Sequence, residues 1–278
     1  MFRYVLAINV TVLMATAVSA EPPVAKFVWQ KGQVLVYKVE HTSTVTDTVA
    51  DTKAEAKTKL NVTKRWQVLD VDSNGIGTLQ LSLTALRNET TAPDGTVSLY
   101  DSADPERSSA ELAKIMANFV NVPLATIRID GCGRVVEVKD SKQGGANRFE
   151  ATPPFDIIVP LQPVKEGQFW ERNYNITLDP PQGTGEKFPA SQRYVCKKCD
   201  NAGAVLQLTT TLKKEPEAAA DRIPLLQWLP EGEAVFDPQT GMLKSAKLTI
   251  DREVKGHQGD DSSYRLQSTY VEQYVGAK

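Results

Sequence analysis

Long runs of β-branched and alternating apolar residues, cut by short turn signals, constrain this chain more than anything else in it. Residues 34–39, 44–52, 66–71, 78–86, 126–129 and 135–138 carry the pattern in the first half. Residues 169–178, 193–196, 205–212, 234–236, 243–250 and 264–274 carry it in the second. A period of two turns one face of each run to a core and the other to water. Asn74-Gly75, Asp94-Gly95 and Gln239-Thr240-Gly241 lie between runs, where a hairpin needs residues that accept a positive φ. Strands this long, joined by turns this short, predict a mainly β protein. They predict long antiparallel strands in a curved sheet or barrel-like arrangement, in preference to an immunoglobulin-like sandwich.

The halves resemble each other. Lys31-Gly32-Gln33 opens the first series of strands and Glu166-Gly167-Gln168 opens the second. Lys64-Arg65-Trp66 leads to Asp72-Ser73-Asn74-Gly75, and Gln192-Arg193-Tyr194 leads to Asp200-Asn201-Ala202-Gly203; each aromatic precedes its glycine by nine residues. Leu79-Gln80-Leu81 answers Leu206-Gln207-Leu208, and the turn after Ile129-Asp130 answers the turn after Phe236-Asp237. Four matches in one order predict two degenerate repeats. One amphipathic helix is expected near 105–121. Asp104 can cap it and Pro105 fits its first position. Leu112, Ile115, Met116, Phe119 and Val120 then form one apolar stripe, expected to pack on the sheet or cover a barrel mouth.

Arg3 precedes a mostly apolar stretch from Tyr4 to Val18, and Val18-Ser19-Ala20 supplies the small residues of a cleavage site. That is the pattern of a secretory signal peptide. The stretch is shorter than the roughly 18 residues of a membrane span, and no stable span is expected after cleavage. The expected organisation is a signal peptide over 1–20, a first β repeat with the helix over 21–150 and a second β repeat over 151–278, the two repeats forming one unit. The expected location is periplasmic or secreted.

Composition removes several functions. Lys and Arg number 32 against 34 Asp and Glu, for a formal net charge of −2, and no long basic run occurs. Nucleic-acid binding and adhesion to anionic headgroups both need a basic face. Only two histidines are present, His41 and His257, with no nucleophile-elbow or zinc-helix motif around them. Asp70 to Gly75 starts like a calcium loop, but the twelfth position is Leu81 rather than Glu. Asp101, Asp104 and Glu106 cluster, yet a helix cap and first turn account for Asp104 and Glu106. No metal and no cofactor are expected. Of the three cysteines, Cys196 and Cys199 flank two lysines where the first half has Val68 and Val71. Export favours a local Cys196–Cys199 disulfide; a bond to Cys132 and free thiols are the alternatives.

Lys31-Gly32-Gln33 with Tyr37, the Val71-Asp72-x-x-Gly75 hairpin, Tyr100-Asp101-Ser102, the helix, the Gly131 to Val138 strand pair and Val164 to Trp170 come in a recognisable order. In this the chain resembles an uncharacterised family of secreted bacterial proteins that carry a domain of unknown function. The resemblance implies export and an all-β fold and carries no catalytic residues. In shape alone, long strands with one lid helix are similar to periplasmic lipoprotein carriers. The expected function is therefore an exported, non-enzymatic cell-envelope protein that binds or carries an apolar, lipid-like molecule. Leu112, Ile115, Met116 and Phe119 are the expected lining, with Trp66 and Tyr194 as paired aromatics. The alternative is a structural or interaction domain for an envelope protein, with residues 42–58 as an exposed ribbon or edge. A carboxylate-based hydrolase is more remote.

Overall fold

The computed structural model describes residues 25–142, 145–200 and 203–276; the expected leader, 1–20, lies outside them. The first half forms β1 (Val34–Val49), β2 (Thr52–Val71), β3 (Gly77–Thr91), β4 (Val97–Asp101), β5 (Pro123–Ile129) and β6 (Val135–Ser141). The second forms β7 (Phe169–Leu178), β8 (Glu186–Asp200), β9 (Gly203–Leu212), β10 (Glu231–Asp237), β11 (Met242–Lys255) and β12 (Ser262–Gly276). Three short helices, α1 (Ala110–Ala117), α2 (Ala146–Ala151) and α3 (Ala219–Arg222), lie between strands.

All twelve strands join one curved antiparallel sheet in the order β6-β5-β3-β2-β1-β12-β11-β10-β9-β8-β7, with β4 added on β3. The mainly β curved sheet is as expected, and it is open rather than a closed barrel. Its edges are β6 and β7. Residues 145–168, which precede β7, insert Phe149, Phe155, Ile157, Val159 and Val164 into the core. Phe155 is the hub, within 5.4–5.8 Å (ring centroids) of Phe27, Trp29, Tyr37 and Trp66. Burying such a side chain stabilises by about 2–3 kcal/mol. The core is therefore a two-walled space, sheet on one side and crossover segment on the other.

The two meanders pair in the same register. Leu35 faces Trp66 as Trp170 faces Tyr194. Val68 faces Leu79 as Cys196 faces Leu206, and a bulge follows at once in both pairs. Leu79 faces Ile127 as Leu206 faces Ala234. Ile129 faces Val135 across a bulge as Phe236 faces Leu243. The entry turns match too: Gly32 N–H donates to Val68 O at 2.9 Å and Gly167 N–H to Cys196 O at 2.8 Å. Both glycines sit at positive φ, +84° and +81°, a conformation that disfavours a side chain.

Two expectations are corrected. The helix does not start at Asp104, whose side chain caps nothing; Pro105–Arg107 is a single 3-10 turn. Ser109 is the cap instead, accepting from Leu112 N–H at 3.3 Å, and the helix stops at Ala117, where Asn118 Nδ2 donates to Lys114 O and Ile115 O. Residues 42–58 are an edge only in part: residues 52–56 of β2 pair with β1 alone and are exposed to half-buried, whereas Lys57 and Thr58 also pair with β3. The outer half of β1 is held between β2 and β12, paired with the latter to Val49–Ser262, because the sheet adds β12 where the first meander alone would end.

Candidate ligand-binding cavity

The concave face of the sheet encloses a cavity of about 530 Å³. Alternation along β2 turns Leu60, Val62, Lys64 and Trp66 into it. On β3 the inward series is Leu81, Leu83 and Leu86; the extra step is a bulge at Thr84, where Lys64 faces Leu83 and Thr63 faces Ala85. Leu248 and Ile250 of β11 and Ser268 and Tyr270 of β12 complete the sheet wall. The crossover supplies Phe149, Pro153, Pro154 and Asp156, and the 3-10 segment Ile223–Trp228 supplies Gln227 and Trp228.

A polar cluster sits within this apolar lining. Lys64 Nζ donates to Tyr270 Oη at 2.8 Å and lies 3.2 Å from Glu272 Oε1. Tyr270 Oη donates to Glu272 Oε2 at 2.7 Å. Glu272 is fully buried. Asp156 approaches from the crossover, in a left-handed conformation with φ +58°. Its burial, and then the adjacent Glu272 charge, push its carboxyl well above the ordinary range, against the pull of Lys64. Two carboxyl groups share one ammonium, an arrangement that favours the protonated form of Asp156. Burial, with Asp156 and Glu272 alongside, likewise raises the Tyr270 hydroxyl. Among the described residues, three buried polar atoms of lining side chains have no hydrogen-bond partner: Trp66 Nε1, Trp228 Nε1 and Asp156 Oδ2.

A second cavity, of about 500 Å³, shares His41, Gln227, Ile250 and Ser268 with the first and runs on past Val45, Leu266 and Tyr264. His41 Nε2 lies 2.8 Å from Ser268 Oγ at the junction, and burial lowers its pKa, favouring the neutral ring. The two cavities adjoin at the four shared side chains, on the inner face of the sheet.

Of the six expected lining residues, only Trp66 lines this cavity. Tyr194 is fully buried elsewhere, stacked on Trp170 at 5.5 Å, its hydroxyl 2.5 Å from Gln192 Oε1 and pushed up by burial to about 12. Leu112 and Met116 are half-buried against the Val39, Val62, Leu86 and Tyr100 cluster. Phe119 is half-buried against the main core, and Ile115 is 49% exposed. The segment after α3, shorter than the expected lid, is the one at the cavity. Lys64, Asp156, Tyr270 and Glu272 were not among the expected residues. A Lys on the inward face of β2, and a Tyr and a Glu two apart on β12, were the available signals; Asp156 lies in irregular chain and had none. Asp101, Asp104 and Glu106 are not in the lining. Cys196 and Cys199 form a disulfide with Cα atoms 6.2 Å apart, and Cys132 is a buried free thiol. Among the described residues, no group of three or more His, Cys, Asp or Glu side chains is placed to hold a metal ion, and no helix is long and apolar enough to cross a membrane.

No protein-family model matches the chain, and no curated protein does. Among solved structures, it is similar to DynF from the dynemicin biosynthesis pathway of Micromonospora chersina, at 10% identity and a TM-score of 0.20, covering 97% of this chain and 94% of that one. It is also similar to a DUF1329 family protein from Desulfovibrio piger, at 12% identity and a TM-score of 0.18, covering 89% and 85%. At these TM-scores neither likeness carries an argument about function.

Proposed function

We propose that the chain is an exported, non-enzymatic protein of the cell envelope that binds or carries an apolar, lipid-like molecule. The observation behind this reading is the unfilled interior. Packed cores leave few voids larger than a water molecule, whereas ligand sites run to about 300–1,000 Å³. This chain holds a cavity of about 530 Å³ whose wall is mostly apolar with a few polar side chains, adjoined by a second of similar size. The leader-like pattern from Arg3 to Ala20 supports the exported location. A hydrolase would draw on Asp156 and Glu272, the carboxyl pair at hand. Glu272 is fully buried and outside the lining, which leaves one reachable carboxyl where hydrolysis by this route needs two.

The test is native mass spectrometry of the mature protein purified from the periplasm, before and after organic extraction. A reproducible adduct that extraction removes is expected. Ile250→Trp, which fills the junction between the cavities, should lower its occupancy at least tenfold while the far-ultraviolet spectrum is unchanged. A clean mass in the wild type, with no uptake of a fluorescent acyl probe, would put the structural or interaction reading first.

A further inference from the structure

We infer that the molecule taken by this cavity is uncharged and carries hydroxyl or carbonyl oxygens, which it presents to the Trp66, Trp228 and Asp156 side chains. The inference rests on the binding reading above and specifies its ligand class.

The argument is one of unmet polar capacity and charge balance. Trp66 and Trp228 both line the cavity, and both indole N–H groups are buried without a protein acceptor. An indole N–H only donates, so each calls for an oxygen on the ligand. Asp156 is buried in the same lining, and its Oδ2 has no partner. A pure hydrocarbon would leave all three unsatisfied, which a buried polar group tolerates poorly.

Charge then selects among polar ligands. The Lys64 ammonium is already engaged, 3.2 Å from Glu272 Oε1 and hydrogen-bonded to Tyr270. With the proton on Asp156, the cluster of Lys64, Glu272 and Asp156 is neutral as a whole. A ligand carboxylate would bring a charge with no free counter-charge, and a ligand cation would require Asp156 to give up its proton. Arg148, the other cation of the lining, is exposed to water. A neutral oxygenated molecule satisfies the donors and changes no charge.

Four probes with the same twelve-carbon length separate the possibilities: monododecanoylglycerol, dodecanoate, dodecyltrimethylammonium and dodecane. Binding to the full mature chain at pH 8 would be read by tryptophan fluorescence and native mass spectrometry. Monododecanoylglycerol is expected to bind at least tenfold more tightly than the other three. Trp66→Phe keeps a ring and deletes the donor; it should weaken the glyceride about three- to tenfold and leave dodecane unchanged. Trp228→Phe makes the same test if the first variant folds poorly. Tightest binding of dodecanoate, or of the ammonium, would overturn the inference in favour of an anion or a cation site. Equal binding of dodecane and the glyceride would overturn it while leaving the carrier reading intact. No binding of any probe would overturn the carrier reading and the inference with it.

Discussion

Lys64 and Trp66 in the first meander occupy the same register positions as Gln192 and Tyr194 in the second, and the two pairs do opposite things. Gln192, itself in the cavity lining, is held by protein partners: it donates to Thr210 Oγ1 at 3.0 Å, accepts from Arg172 Nε at 2.8 Å and accepts from the Tyr194 hydroxyl. Tyr194 is sealed under Trp170. Lys64 instead brings a charge into the concave face, and Trp66 keeps an indole N–H that no protein group accepts. The same backbone thus supports a closed polar network in one half and an open, ligand-ready one in the other. What differs is not the pairing of strands but whether the polar tips on the inner face are satisfied.

Breaking the charged pair should have the largest effect. Lys64→Met leaves the buried Glu272 without its counter-charge, and removing one partner of a buried pair costs about 3–5 kcal/mol. Urea unfolding at pH 8 should show the loss. Gln192→Leu, at the equivalent position, should cost less, about 1–3 kcal/mol for the unsatisfied Thr210 and Arg172 groups. Equal losses, or a reversed order, would remove the contrast between the halves.

A third pair of equivalent positions differs in covalent chemistry. Val68 and Val71 in the first meander stand where the second has the Cys196–Cys199 disulfide. Replacing both cysteines by valine installs the first meander's residues. A loop this short constrains the unfolded chain little, so a loss of at most about 2 kcal/mol is expected on unfolding in urea. A larger loss would mean that the second meander cannot stand on packing alone.

The smallest effect sharpens the contrast by pH. Asp156 has a folded pKa raised above its unfolded value, near 3.8. Its contribution to stability is therefore complete below that value and is lost as pH rises through the raised one. The slope is at most about 1.4 kcal/mol per pH unit for a single group. Asp156→Asn keeps the shape, tolerates the left-handed backbone and should flatten this fall in urea midpoints between pH 4 and pH 8. An unchanged slope would place the titration elsewhere, whereas Gln192→Leu should leave the slope as it is.

The strands and the hairpin turns were legible in the sequence because each is local. Alternation declares an inward face, and Asn74-Gly75 or Gln239-Thr240-Gly241 declares a reversal. The helix was legible only in part. Asp104 was the expected cap; Ser109 caps instead, and Leu112 and Met116 pack against the Val39, Val62, Leu86 and Tyr100 cluster. The lid was misplaced as well. A wide apolar stripe states that a helix is covered, not what it covers, and the short segment ending at Trp228 reached the cavity instead.

The sequence by itself determined a mainly β chain of long antiparallel strands joined by short turns. Each of those properties depends on residues a few positions apart. Only the tertiary structure decided that the sheet stays open, that residues 145–168 fill its concave side and that a cavity remains. It alone brought together Lys64, Asp156, Tyr270 and Glu272, which come from one strand of the first meander, an irregular connection and the last strand. Charge balance and hydrogen-bond satisfaction are properties of neighbours in space, and no spacing along the chain encodes neighbours more than a hundred residues apart.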